Sequence, residues 1–583
     1  MKSPILSCAM ILALSLGALG PIYADDFTWN LNAVNGNWHE AQNWTPEQVP
    51  MANDTAHFAL SNVTSVSIES QTEIRHIVFD ADASDYIFTL DHLGGAGLVL
   101  RGIMNNSGQL QNFVNTASCD GGEGTVIHFA GNASAGTQTL FTNEGGSGLF
   151  GNGSVGFYDQ STAGEAIFVN KPVCEAGFIY GGGVGFGGEA SAGSAIFINE
   201  GGAVSGGGGG VMNFLGNATA ANANITVHGG AVPGAIGAYV FFASGSSAGS
   251  ATFFVEGGQA EDALEGFIQF IDSSAENANF TINGGTAGSA FGGLLLFDEF
   301  ADAGNAICVI NGGTDGGPGG NLRFVLDSTG GTSRIELFGN GVLDITSHYR
   351  PGLTIGSLEG DGIVLLGHKN LIVGSNNITT DFSGKIQNNG SLNKVGTGTL
   401  TLSGANTYTG STTVTAGALN VSNTTGSGTG RGPVQVNSGT LGGDGRIAGA
   451  VTIGTGTGTG AFLAPASGAG EKATLTIQSG LILKSDATYT YTYKAKSNKA
   501  TTDLVVAKGV VINSGATLDF DGTINGRLTP GLVFTVISNT SANPISGTFS
   551  NLPDGSTIIL AGNTFQVNYE GGDGNDLTLT VVP

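Results

Sequence analysis

STAGEAIFVNKP (161–172), ASAGSAIFINEGG (190–202), ATAANANITVHGG (218–230), SSAGSATFFVEGG (246–258), SSAENANFTINGG (273–285) and ADAGNAICVINGG (301–313) are versions of one segment. Their starts lie 29, 28, 28, 27 and 28 residues apart. A fainter copy begins at Ala133 and another at Ser328. Within each copy apolar and polar residues alternate, the pattern of a strand with one buried face. Aligning the copies produces columns. One reads Phe141, Phe168, Phe197, Ile225, Phe253, Phe280, Cys308, Ile335. A second reads Phe129, Phe157, Phe186, Phe214, Phe242, Phe270, Phe297, Phe324. A third holds Ala166, Ala195, Ala223, Ala251, Ala278 and Ala306, closed by Ser333. The spacing predicts an all-β fold, a parallel β-helix (β-solenoid). Each unit of about 28 residues makes one coil of three short strands, and coils stack at about 4.8 Å. The Phe columns become interior aromatic ladders, and Gly turns the corners. A β-sandwich is the rival, but it gives no reason for eight units to hold one register.

Composition narrows the function. Charged residues are only 11%, Gly is 101 of 583, and the formal charge is −26. So acidic a chain repels phosphate backbones, so nucleic acid is not expected as a partner. Solubility and weak cation binding are the plain consequences. The start, MKSPILSCAMILALSLGALGPIYADDF, places one Lys before an apolar run and small residues up to Ala24. It reads as a secretory signal peptide over 1–24, cleaved near Ala24; the alternative is an uncleaved anchor helix, for which the run is short. No later segment is long and apolar enough for a membrane-spanning helix.

Cys119, Cys174 and Cys308 remain after such cleavage. Cys119 and Cys174 are 55 residues, or two coils, apart. Two rungs make about 9–10 Å, beyond the roughly 7 Å a disulfide allows, so no bridge is expected. Cys308 takes a Phe position and should be a buried, inert thiol.

Just before the GG corner the column reads Glu144, Lys171, Glu200, His228, Glu256, Asn283, Asn311. It is either a solvated ladder of ion pairs and amides or an acid–base site centred on His228. Trp29, Trp38 and Trp44 all lie within 25–95, expected to form an N-terminal β region that caps the first coil. A carbohydrate-stacking surface is the other use for such residues. GSSAG (245–249) fits a nucleophile-elbow pattern, but Ser247 falls in a corner of the repeat. GGDGNDLTL (571–579) and DFDGTING (519–526) are single or partial calcium-loop patterns. The basic residues Arg323, Arg334 and Arg350 lie near the end of the repeat without an evident acid cluster.

The Phe-rich units fill 96–345; Thr, Val, Leu and Gly then take over through 346–455. KVGTGTLTLSGANTYTGSTTVTAGAL (394–419) resembles the autotransporter-associated β-strand repeat, or passenger-associated transport repeat. Lys394, Gly396, Gly398, Leu400, Leu402, Gly404, Asn406, Tyr408, Gly410, Thr413, Val414, Gly417 and Leu419 carry the resemblance. It implies a parallel β-helical stalk on an exported bacterial protein, and a structural role for these residues. Residues 456–583 read as further short strands, a C-terminal β region or cap with no evident outer-membrane barrel. The expectation is therefore a secreted or cell-surface β-solenoid with a structural or adhesin-like role, about 60 Å long over the repeats. No catalytic residue, cofactor or metal site is expected. The partner would be an extracellular ligand, a glycan or another surface component. A carbohydrate-binding protein or a polysaccharide-degrading enzyme on the same scaffold is the alternative.

Overall fold

The computed structural model describes residues 24–147, 151–467 and 472–583. The expected signal sequence lies, except for Ala24, outside the described residues. Among the described residues the only helical elements are two single 3₁₀ turns, Ala41–Asn43 and His92–Gly94. Everything else regular is strand, and almost every strand pairs in parallel with its equivalent one coil away. Among the described residues no helix is long and apolar enough to cross a membrane.

The columns read from the sequence are the register of the fold. Phe141 pairs with Phe168, Phe168 with Phe197, Phe197 with Ile225, and the column continues to Cys308 and Ile335. The second column runs from Phe129 to Phe324 in a 13-stranded parallel sheet. At about 4.8 Å per strand that sheet is roughly 58 Å long. Its Phe rings stack face to face at 4.5–5.1 Å, with planes within 2–17° of parallel. Rings of the first column meet them edge-on, as Phe129 meets Phe141 at 81°. Stacked and edge-to-face rings both satisfy the ring quadrupole. The first ladder also extends upstream to Phe88 and Phe113, stacked at 4.8 and 5.0 Å. Ala166 and its equivalents are fully buried.

The expectation of three strands per Phe-rich coil is corrected. Each coil has two, such as Glu165–Asn170 and Gly183–Phe186. The third side is a single backbone bridge running Ser134, Thr162, Ser191, Thr219, Ser247, Ser274, Asp302, Thr329. In the coil of Thr162, for example, left-handed residues bracket this side: Asp159 before the bridge and Gly164 after it. Two such reversals within six residues leave no room for an extended strand.

The third sheet opens where the composition changes. It has eight strands, from Gly352–Ile355 to Val510–Ile512. Coils shorten there from the 28-residue repeat to about 21, as the Ser391–Asn370 contact between neighbouring rungs shows. The last parallel pairing joins Leu504–Ala507 to Val533–Asn539. Val533–Asn539, Asp576–Val582, Asn563–Gly571 and Thr557–Leu560 form an antiparallel meander. At the other end Trp44–Thr45 pairs antiparallel with Asp26–Trp29 and covers the edge of the first parallel sheet. The three Trp rings are buried among Phe58 and Phe88, with Trp29 and Trp38 both edge-on to Trp44 at about 5 Å. Burial of all three removes the carbohydrate-stacking alternative.

Cys119 and Cys174 form a disulfide, with Cα atoms 6.2 Å apart, which corrects the second expectation. The two-rung estimate holds only where strands stack. Both cysteines sit in corners, outside any strand. The intervening corner carries Gly145 and Gly146; a Cβ on Gly145 would collide with the Pro172 carbonyl, and one on Gly146 with that of Ser118. Two glycines between them let the outer corners close together. Cys308 is buried and unpaired as expected, and burial pushes its thiol up to about 12.

Candidate functional site

The coils around 394–419 are held by side chains that reach from one rung to the next. Lys394 points inward from Ser391–Lys394 and is buried. Its Nζ donates to the carbonyls of Val395 at 2.6 Å and Gly396 at 3.1 Å, and to Ala416 of the next coil at 3.4 Å. No carboxylate pairs with it among the described residues, and burial brings its pKa down to about 8. Asn406 joins three rungs: its Oδ1 accepts from Ile386 N–H at 2.8 Å and its Nδ2 donates to the Gly428 carbonyl at 2.6 Å. Tyr408 is fully buried; its hydroxyl meets Thr412 Oγ1 at 2.6 Å, and burial raises its pKa. Leu400, Leu402, Val414 and Leu419 fill the core, while Thr413 faces outward.

The motif glycines mark where coils touch backbone to backbone. At Gly404 a Cβ would strike the Gly384 carbonyl of the rung below. Gly417 has φ +65°, and a Cβ there would meet the carbonyls of Gly396 and Gly398 beside Lys394 Nζ. Gly396, Gly398 and Gly410 are closed off in the same way by Gly374, Ile378 and Gly390. These residues serve register and carry no reactive group apart from an internally tied ammonium.

The corner column forms pairs. Lys171 Nζ lies 2.6 Å from Glu200, His228 Nδ1 lies 2.7 Å from Glu256, and Asn311 donates to Asn283 at 2.9 Å. The hydrogen bond to Glu256 raises the His228 pKa, and the same bond lowers that of Glu256. All four side chains are between about one-third and two-fifths exposed, and each is committed to a partner. The ladder reading accounts for them.

Other patterns are absorbed by the fold. Ser247 lies in the bridge column and donates to Thr219 Oγ1 at 3.1 Å; its coil has two strands and no helix to form an elbow. DFDGTING lies largely within the strand Thr517–Asn525, and GGDGND makes the turn between the last two strands. Arg334 meets Glu336 and Glu359, Arg350 meets Asp327, and Arg323 lies 3.8 Å from Asp344. These carboxylates come from neighbouring rungs or from the same strand two residues on. Among the described residues no three His, Cys, Asp or Glu side chains converge as a metal cluster.

Two features were not read from the sequence. One is a buried asparagine ladder. Asn115 donates to Asn143 at 2.6 Å, Asn143 to Asn170 at 2.7 Å, and Asn170 to Asn199 at 2.7 Å. The column turns apolar at Val227 and Val255. The other is an aromatic strip on the outer face of the 13-stranded sheet. Val211, Tyr239, Phe267 and Leu294 form one outward column, and Asn213, Phe241, Gln269 and Leu296 the next. Tyr239 lies 5.2 Å from Phe267 and 6.4 Å from Tyr180, and it donates to Gln269 at 2.9 Å. The signal was available: YVFFA, FIQFI and LLLFD put Tyr239, Phe241, Phe267, Leu294 and Leu296 at outward positions, beside apolar residues inward.

Register-holding residues of this kind, in this order, belong to a described repeat. Residues 392–421 match the Passenger-associated-transport-repeat family model. The match covers the coils in which Lys394 and Asn406 tie successive rungs and Tyr408 fills the core. Among solved structures the chain is similar to the crystal structure of the Haemophilus influenzae Hap adhesin, at 10% identity and a TM-score of 0.29. The alignment takes in 93% of this chain and 65% of the adhesin chain, so the protein spans just under two-thirds of that chain's length. No curated protein matches the sequence. The parallel β-helix and the repeat at 392–421 are thus established from the register and the repeat itself.

Proposed function

We propose that the protein is an exported β-solenoid that works by presenting surface, without catalysis, in a structural or adhesin-like role at or beyond the cell surface. The observation that carries this reading is a passenger-type transport repeat continuous with a long rod whose outer sheet displays an aromatic strip. Tyr180, Tyr239, Phe241 and Phe267 offer flat rings beside the amides of Asn213 and Gln269, a surface suited to stacking and hydrogen bonding with a glycan. The disulfide of Cys119 and Cys174 supports export, since such bonds persist in oxidising compartments. The pairing of Lys171 with Glu200 and of His228 with Glu256 favours a register role over an acid–base one. The test is twofold. Fractionation of the native host should recover the chain outside the cytoplasm. A glycan array should then show binding that is lost in Tyr239→Ser with Phe267→Ser. Recovery in the cytoplasm alone, or turnover of a polysaccharide by the purified chain, would overturn the reading.

A further inference from the structure

Arg431 and Arg446 stand on adjacent rungs just past the repeat at 394–419. Arg431 lies one coil on from Tyr408, whose carbonyl accepts from its N–H at 2.8 Å. Arg446 opens the short strand of the following coil, and its carbonyl accepts from Gly428 N–H at 2.9 Å. The two coils differ in length here. The first advances six residues from Gly428 to Val434, while the carbonyls that meet those two N–H groups, of Arg446 and Ala450, are four residues apart. The two extra residues turn a corner at Gly430, where φ is +66°. Beside this mismatch lies a half-open recess of about 270 Å³. Thr407, Ser427, Arg431, Arg446, Ala448 and Gln478 line it. Ser427 Oγ ties the rim by accepting from Ala448 N–H at 3.1 Å. Gln478 lies one rung beyond Ala448, since Ile447 pairs with Ile477. Both arginines are exposed. Arg323, Arg334 and Arg350 each meet a carboxylate, whereas neither Arg431 nor Arg446 is in an ion pair among the described residues. No Asp or Glu lines the recess, and Asp444, two residues before Arg446, lines a different cleft. Like charges on neighbouring strands repel, and the chain leaves these two unpaired although it has 45 Asp and Glu for its 19 Lys and Arg. A bound anion would remove that repulsion.

We infer that this recess binds the carboxylate of one acidic sugar on an otherwise neutral glycan. Adjacent rungs are about 4.8 Å apart, so two Arg side chains can close on one carboxylate. Each guanidinium offers a planar fork that matches a carboxylate, and such charge-assisted bonds are about twice as strong as neutral ones. Thr407 and Gln478 add a hydroxyl and an amide for the hydroxyls of the sugar ring. The field of a chain with net charge −26 disfavours polyanions, so the ligand carries one charge and not a run of them. The choice of a glycan rests on the surface-presenting role proposed above. The anion recess stands on its own geometry.

Cellobiouronic acid and cellobiose differ only by a carboxylate in place of a hydroxymethyl group, which makes them a matched pair of probes. The purified full chain is titrated with each by calorimetry up to about 10 mM, a range that covers a millimolar Kd. The acid should bind at least tenfold tighter than the neutral sugar. Arg431→Gln with Arg446→Gln should bind the two alike. Both positions are exposed, so these replacements leave the fold intact, as circular dichroism will show. Arg75→Gln with Arg101→Gln removes the same charge elsewhere and should bind like the unaltered chain. Tyr239→Ser with Phe267→Ser should also bind the acid normally, so a failure of the aromatic strip and a failure of this recess are read apart. The titration does not depend on where the cell places the chain. Equal binding of acid and neutral sugar, or unchanged binding by the Arg431 and Arg446 double variant, overturns the site. Tighter binding of cellobiose sulfated at the same carbon overturns the choice of a carboxylate. Tighter binding of N-acetylglutamate amide, a peptide carboxylate, overturns the choice of a glycan.

Discussion

His228 and Glu256 stand one rung apart, and their hydrogen bond sets a pH window. The folded pKa of His228 is raised above 6.5, so its contribution is complete below 6.5 and is lost as pH rises through the folded value. That of Glu256 is lowered below 4.5, so its contribution is complete above 4.5 and is lost as pH falls through the folded value. The pair is therefore worth most between these limits. With both side chains about one-third exposed, the gain stays below about 1 kcal/mol. Melting curves of His228→Gln against the unaltered chain should differ most between pH 4.5 and 6.5 and converge on either side. A difference independent of pH would show that the bond contributes nothing. Lys394 illustrates a different residue-scale solution. Its charge is met by carbonyl dipoles of two rungs, so one side chain fixes their relative height.

At the scale of the element, the asparagine ladder and the disulfide sit in the same early coils. Asn143→Ala would orphan the Asn115 amide donor and the Asn170 acceptor, both buried, at a cost of about 3 kcal/mol or more. Replacing Asn115, Asn143, Asn170 and Asn199 together by Val should cost less than four times the single change. That set removes the inter-amide bonds together, gives up only the Asn199 contacts to the Thr226 carbonyl and the Met212 sulfur, and extends a column the chain already fills with Val227 and Val255. Amide exchange in Glu165–Asn170 and thermal unfolding would measure both. Opening the disulfide with Cys119→Ser and Cys174→Ser releases a 55-residue loop. On the chain-entropy account this costs about 4 kcal/mol. Earlier local unfolding of these coils, with the 346–455 coils unchanged, is the expected result under limited proteolysis.

Across the whole molecule, stability is close to a sum of coils and their interfaces, so the ends matter. Trp44–Thr45 pairs with the free side of Asp26–Trp29, and the Trp cluster covers the first layer of the core. Removing 24–45 would bare the edge of Thr55–Phe58 and the ring of Phe58. Light scattering should then report larger species than the full chain forms under identical conditions. An unchanged size would show that the end strands are dispensable. The meander after Val533–Asn539 guards the other end, where antiparallel hairpins replace an open parallel edge.

Much of the fold was legible because a solenoid repeats its constraints. Each Phe of the second column faces the same neighbours, so the sequence shows the register eight times over, and the structure keeps it from Phe129 to Phe324. The repeat around Lys394 was legible for a related reason, since glycines and inward residues must recur where coils touch. Features that do not repeat were hidden. The disulfide depends on how far two corners lean, and corners carry no ladder to fix them. The aromatic strip fills only a few rungs of its outward columns, too few for periodicity to single it out. The sequence by itself determined the column each residue occupies, through periodic burial. Only the tertiary structure decided which columns meet across a corner or open to solvent, because those distances depend on coil length and loop path.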